Sequence, residues 1–205
     1  MSSEMEIDEF TALHGLVLKK AGQADQVAEV LGASVDEVTP ALDAAVAEKR
    51  AMAGRGKYMV TPAGRAWLDE QYPVLFADLR ADPGADAAYA AFEKVNRELL
   101  ALMTRWQTVT VGGEAVPNDH ADADYDAAIL DQLAKLDSDA GPALDALAGL
   151  VPRLGVHRRR LSEALARASA GETDYVSGVR VASYHTVWFE LHEDLLRLLG
   201  RTREP

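Results

Sequence analysis

Between Ala88 and Trp106 the large apolar residues Phe92, Val95, Leu99 and Leu102 follow one another at alternating steps of four and three. That spacing lays a single narrow stripe along a helix of about six turns, and a stripe so narrow has to be covered by another helix. A second seam, Tyr184, Trp188, Leu191, Leu195 and Leu198, marks a last helix over about 181–199 that Gly200 ends. Between the seams, residues 108–120 read as a long loop. Helix resumes at Asp122 or Asp124 with Tyr125, Ile129, Leu133 and Leu136 in register. Pro142 and Pro152 bracket a further apolar helix over 143–150, and a basic-faced helix follows over 156–170. Long helices joined by short connections predict an all-α bundle.

The first 80 residues are patterned differently. Phe10, Leu13, Leu16 and Val17 predict one helix, stopped by Gly22, and Val27, Val30 and Leu31 a second, stopped by Gly32. Ser34-Val-Asp-Glu37 is a capping box, in which hydroxyl and carboxylate satisfy each other's backbone donors. It opens a third helix with Val35, Val38, Leu42 and Val46 expected inward. Residues 51–60 read as a hairpin with a Gly-rich turn, and Pro62 starts a fourth helix. The Pro83-Gly84 pair punctuates the pattern. The expected partition is therefore residues 1–80 and 81–205, mainly α with one small hairpin.

Three helices, a short hairpin and the exit Tyr58-Met-Val-Thr-Pro-Ala-Gly-Arg65 resemble the winged helix-turn-helix of MarR- and PadR-type regulators, over roughly residues 8–72. The resemblance implies that 34–50 is the recognition helix and 54–57 the wing tip. It also implies that the 81–205 bundle dimerises or senses an effector. Residues 183–196, Asn118-Asp-His120 and Asn96-Arg-Glu-Leu-Leu100 further resemble segments of winged-helix proteins that accompany phosphoenolpyruvate-utilising, dikinase-like domains. That second resemblance implies an accessory role, because 205 residues leave no room for the nucleotide-grasp and phosphohistidine domains.

A DNA-reading helix presents groups that donate to phosphates and base edges. The face expected to be exposed here carries Asp36, Glu37, Thr39, Pro40, Asp43, Ala44 and Ala47, of which Thr39 alone suits a base. Cations gather instead at the helix end, wing and exit: Lys49, Arg50, Arg55, Lys57 and Arg65. The whole chain has a formal net charge of −12, which repels a phosphate backbone, so duplex DNA has to be met through that local group.

Cysteine is absent, which excludes disulfides, thiolate metal sites and cysteine nucleophiles. The opening residues are acidic and lack the apolar run of a secretory signal, and no stretch approaches the roughly 18 apolar residues of a membrane span; a cytoplasmic location is expected. Asp122, Asp124 and Asp126 alternate like a calcium loop, but Ala127 and Leu133 stand where that template needs Gly and Glu. His-Glu-x-x-His and paired Glu-x-x-His motifs are missing, as are a Gly-x-Ser-x-Gly elbow and a phosphate-cradling loop. No metal, cofactor or catalysis is expected, with the His120, His185 and His192 region as the one place where an enzyme would have to work.

Polar and aromatic residues at the seam edges are the ligand candidates. Asn96, Arg97 and Trp106 on the first long helix, His185, Trp188 and His192 on the last, and His120 from the connection are expected to converge between bundle helices. Arg97 or one of Arg158, Arg159 and Arg160 would hold a carboxylate or phosphate. The expectation is a homodimeric winged-helix transcriptional regulator that senses a small anionic or aromatic ligand. The alternative is an accessory protein whose winged helix contacts a metabolic enzyme rather than DNA.

Overall fold

The computed structural model describes residues 7–203, so the acidic opening residues lie outside the described part. The protein is mainly helical, with two small antiparallel hairpins, and no helix of the described residues is long and apolar enough to cross a membrane. Of the described residues, 7–82 and 192–203 form one compact unit and 83–191 a second. This differs from the partition expected from sequence, because the end of the last helix belongs with the first unit. Pro83, at the change of unit, is the first residue of a helix, a position where its missing N–H costs nothing.

In the first unit, α1 (Glu9–Lys19), α2 (Ala24–Leu31) and α3 (Val35–Ala47) precede strands β1 (Ala51–Gly54) and β2 (Lys57–Val60), then α4 (Pro62–Leu75) and α5 (Ala77–Ala81). Leu13, Leu16, Val27, Leu31, Val38, Leu42 and Leu68 make its dry centre. The capping box forms as read, with the Ser34 and Glu37 side chains each meeting the other's backbone N–H. The inward stripe of α3 is Val38, Ala41, Leu42 and Ala45. Val35, expected inward, is 44% exposed because the first helical residue precedes the buried turn, and Val46 is only partly buried.

Helix α3 ends in a Schellman motif: Arg50 N–H donates to Ala45 O and Lys49 N–H to Val46 O, with Lys49 in the left-handed region at φ 59°. Strand pairing runs Ala51 with Val60 through Gly54 with Lys57. Arg55 and Gly56, at φ 53° and 75°, make the turn that matches the strands' twist. A two-bond bridge between Gly22 and Tyr58 ties the α1–α2 connection to β2. At the exit, Thr61 caps α4 by accepting from Gly64 N–H, Pro62 takes the first position, and Gly64 lies against the Arg50 carbonyl. A Cβ on Gly64 would stand 2.0 Å from that oxygen.

In the second unit, α6 (Pro83–Gln107) and α7 (Ala123–Leu150) carry the main seam, followed by a short 3₁₀ turn (Pro152–Leu154), α8 (Gly155–Ser169), α9 (Asp174–Ser177) and the first half of α10 (Tyr184–Leu199). Phe92, Leu99, Leu102, Ile129, Leu133, Leu161, Tyr184 and Trp188 are buried. Two expectations are corrected. Residues 108–117 are a second hairpin, β3 (Thr108–Val111) with β4 (Glu114–Pro117), rather than a loop: the β-branched run Thr108–Val111 leads into Gly112-Gly113, both at positive φ. Pro142 does not separate two helices. α7 runs through it, because the buried stripe Leu133, Leu136, Ala140, Ala143, Leu144 and Leu147 continues across it and outweighs the lost hydrogen bond.

Candidate functional site

The six residues expected to meet DNA divide in two. Lys49, Arg55, Lys57 and Arg65 are exposed, and none takes part in an ion pair among the described residues. Arg50 is committed to the fold: Nη1 donates to Glu9 Oε2 at 2.6 Å and the guanidinium lies 4.3 Å from the centre of the Trp67 ring. Thr39 spends its hydroxyl proton on Val35 O at 2.7 Å.

Asp36, Glu37, Pro40, Asp43, Ala44 and Ala47 on α3 are all exposed. The Ser34 side-chain hydrogen bond, aided by the Ser34 backbone, lowers the pKa of Glu37. The Tyr58 hydroxyl donates to Asp43 Oδ1 at 2.8 Å, and that bond raises the phenol pKa. Glu37 therefore stays charged. Cations mark the hairpin and its flanks, and carboxylates mark the helix.

The ligand candidates do not converge. Asn96 and Trp188 are buried in the second unit and satisfy each other, Trp188 Nε1 donating to Asn96 Oδ1 at 2.9 Å. Trp188 stacks on Phe92 at 4.9 Å and on Tyr184 at 6.0 Å, so these groups are core. Trp106, ten residues or ~15 Å further along α6, packs against His120 at 4.4 Å. His120 stands at φ 57°, and its Nδ1 lies 2.9 Å from Asp126 Oδ2 and 3.2 Å from Asn118 Nδ2. Asn118 and Asp119 line an open groove of about 510 Å³. Arg97 is exposed. His185 is half-buried, and burial lowers its pKa. His192 belongs to the first unit, where its Nδ1 lies 3.3 Å from Arg203 Nη1.

The Arg158–Arg160 run also splits. Arg160 makes a buried pair with Glu190 at 2.6 Å, and Arg158 holds both oxygens of Asp137 at 3.0 Å. Tyr184 donates to the same Asp137; burial first, and then that carboxylate, pushes its phenol pKa well above 10. Arg159 stays on the surface beside Glu163.

Two features of the first unit have no counterpart in the sequence reading. The buried His14 ring bridges Tyr72 OH, at 2.6 Å from Nδ1, and Asp194 Oδ1, at 3.0 Å from Nε2. Near the Tyr72 end, a cavity of about 400 Å³ is lined by Arg80, Arg197, Arg201 and Arg203 together with Asp69 and Glu193. Helix periodicity could have flagged His14, a polar residue on an apolar stripe; nothing in the sequence singles out Asp194. No group of three or more His, Asp or Glu arranged to hold a metal occurs among the described residues. Comparison with family models, with curated proteins and with solved structures finds no match.

Proposed function

We propose that the first unit is a winged helix-turn-helix of the MarR/PadR-like type and that it meets duplex DNA with its hairpin, as a homodimer joined through the helical second unit. The observation that supports this reading is the segregation of charge. Lys49, Arg55, Lys57 and Arg65 are exposed on and beside the hairpin, while Asp36, Glu37 and Asp43 occupy the outer face of α3. A hairpin tip that carries Arg55 at its turn suits phosphates and a minor groove, whereas an acidic helix face is repelled by a major groove. Binding of this kind is weakly sequence-dependent and steeply salt-dependent.

Fluorescence anisotropy with a labelled duplex over a salt series tests it. Measurable affinity near ~50 mM salt is expected, with the salt slope reduced by about one unit for each cation removed at positions 55 and 57. Absence of affinity at that salt rejects DNA binding. Light scattering checks the dimer.

The acidic face of α3, flanked by the small residues Ala44 and Ala47, favours a second reading, in which the winged helix docks on a metabolic enzyme. In that case Asp36→Asn weakens the protein complex and no DNA is bound.

A further inference from the structure

Side chains along β1 and β2 alternate between two faces of the hairpin, and the two faces differ in kind. Ala51, Tyr58 and Val60 look toward the first unit: Ala51 and Val60 are buried, and the Tyr58 hydroxyl reaches Asp43 on α3. The opposite face carries Met52, Gly54, Lys57 and Met59, all exposed. It is therefore turned away from the acidic helix. Met52 pairs with Met59 and Gly54 with Lys57, so the two methionines stand side by side across the strands, 51% and 44% exposed. A Cβ on Gly54 would meet nothing within 4 Å, and its backbone lies outside the left-handed region, so neither packing nor conformation requires glycine there. A strand glycine of that kind leaves room for another molecule to approach the backbone closely. Lys57 on this face and Arg55 at the turn make no ion pair among the described residues, in a chain of net charge −12.

We infer that Met52 and Met59 form an apolar wedge that enters the minor groove of duplex DNA, partly unstacks one base step and bends the duplex, while Arg55 and Lys57 meet the bordering phosphates. Resting on the proposed meeting of hairpin and duplex, the wedge adds which DNA the hairpin selects. Unbranched, polarizable methionine side chains suit insertion between base steps, and such wedges kink a duplex by about 20–90°. The unstacking is least costly at pyrimidine–purine steps, so deformable sequence is favoured without any hydrogen bond to a base. A flat anionic surface would draw up the carboxylates of α3 together with the hairpin, whereas a groove admits the hairpin alone.

Duplexes of about 25 base pairs with a dye at each end, one carrying a central TA step and one an A-tract in its place, test it with the full chain at about 50 mM salt. Anisotropy reads affinity and energy transfer between the dyes reads bending. The wild-type chain should bind the TA duplex about fivefold more tightly than the stiff A-tract and should raise the energy transfer as the ends approach. Met52→Gln combined with Met59→Gln keeps the length of both side chains and every cation. It should abolish the rise in transfer, weaken binding to the TA duplex about fivefold and leave the salt slope unchanged. Circular dichroism establishes that the variant is folded, and the comparison of the two duplexes on the wild-type chain needs no variant. Absence of duplex binding, or tighter binding to vesicles of anionic phospholipid, overturns the wedge together with the DNA reading. Duplex binding without a change in transfer, without preference for the TA step, or with both unaltered in the methionine variant overturns the wedge and leaves the DNA reading standing.

Discussion

His14 and Asp194, 180 residues apart in sequence, are joined by a 3.0 Å contact in which both side chains are essentially inaccessible to water. Tyr72 lies 2.6 Å from the other ring nitrogen of His14, and the Phe10 ring stacks on the imidazole at 6.1 Å. One histidine thus connects α1, α4 and the end of α10 within the first unit. Tyr72 OH and the Asp194 carboxylate engage both ring nitrogens of His14. His14→Ala takes a partner from a carboxylate with no access to water, which should cost about 3 kcal/mol. The urea midpoint is expected to fall accordingly, and His14→Gln, which keeps a donor, should recover part of the loss.

Asn96 reads as core, not as a ligand group, because its Oδ1 accepts from the buried indole of Trp188. Asn96→Ala leaves that N–H without its acceptor and should destabilise the helical unit by about 2 kcal/mol. Thermal unfolding followed by near-ultraviolet circular dichroism of the tryptophans reports it. An unchanged midpoint would mean that the bond contributes nothing to the fold.

The contrast between these residues and the hairpin shows what was legible beforehand. Helix positions, the capping box at Ser34 and Glu37 and the Thr61-Pro62-Gly64 exit depend on neighbours a few residues away, and they appear where local pattern placed them. The hairpin at 108–117 was equally local, signalled by the β-branched run Thr108–Val111 leading into Gly112-Gly113, but the longer apolar seams around it masked the signal. Which of Asn96, Trp106, His120, His185, Trp188 and His192 meet one another was not legible. Position along a helix sets a side chain's face, whereas the partner it meets is set by packing across the bundle. The arginine cavity was hidden for the same reason: Arg80 and Arg201 are brought together by the last turn of α10, 120 residues from Arg80 in sequence.

Two glycines separate steric from conformational demand. Gly64→Ala places Cβ 2.0 Å from the Arg50 carbonyl oxygen, a backbone atom that cannot yield without opening the Thr61 N–H bond to the same oxygen. A loss of about 4 kcal/mol or more is expected, enough to unfold the unit. Gly56→Ala at φ 75° meets only Gln23 Nε2 at 3.8 Å and should cost about 1 kcal/mol. Chemical denaturation of both variants checks the order.

His185 supplies a pH signature. Burial lowers its pKa below the ordinary 6.5, so the unfolded chain binds a proton at this site more readily than the folded one. Stability then rises with pH in the window below 6.5 and is complete above it; acidification through that window withdraws it. Against the wild-type profile, His185→Gln should flatten the part between the lowered folded pKa and 6.5, while the profile above pH 7 keeps its shape. NMR titration of the His185 ring should place its midpoint under 6.5.

The orientation proposed for DNA can be separated from groove reading by α3 through three replacements. Arg55→Ala removes the cation at the hairpin turn and should weaken duplex binding about tenfold at low salt. Asp36→Asn removes a carboxylate from a helix that stays outside the groove. Only a long-range repulsion is relieved, so affinity should rise about two- to threefold at ~50 mM salt and the gain should vanish near 200 mM, where screening is shorter than the separation. Thr39→Ala should change nothing, because its hydroxyl proton already serves Val35 O. If α3 entered the major groove, the order would invert. Asp36→Asn would then give the largest gain and keep it at high salt, since a charge pressed against phosphates is poorly screened, and Thr39→Ala would lose affinity for some sequences more than others.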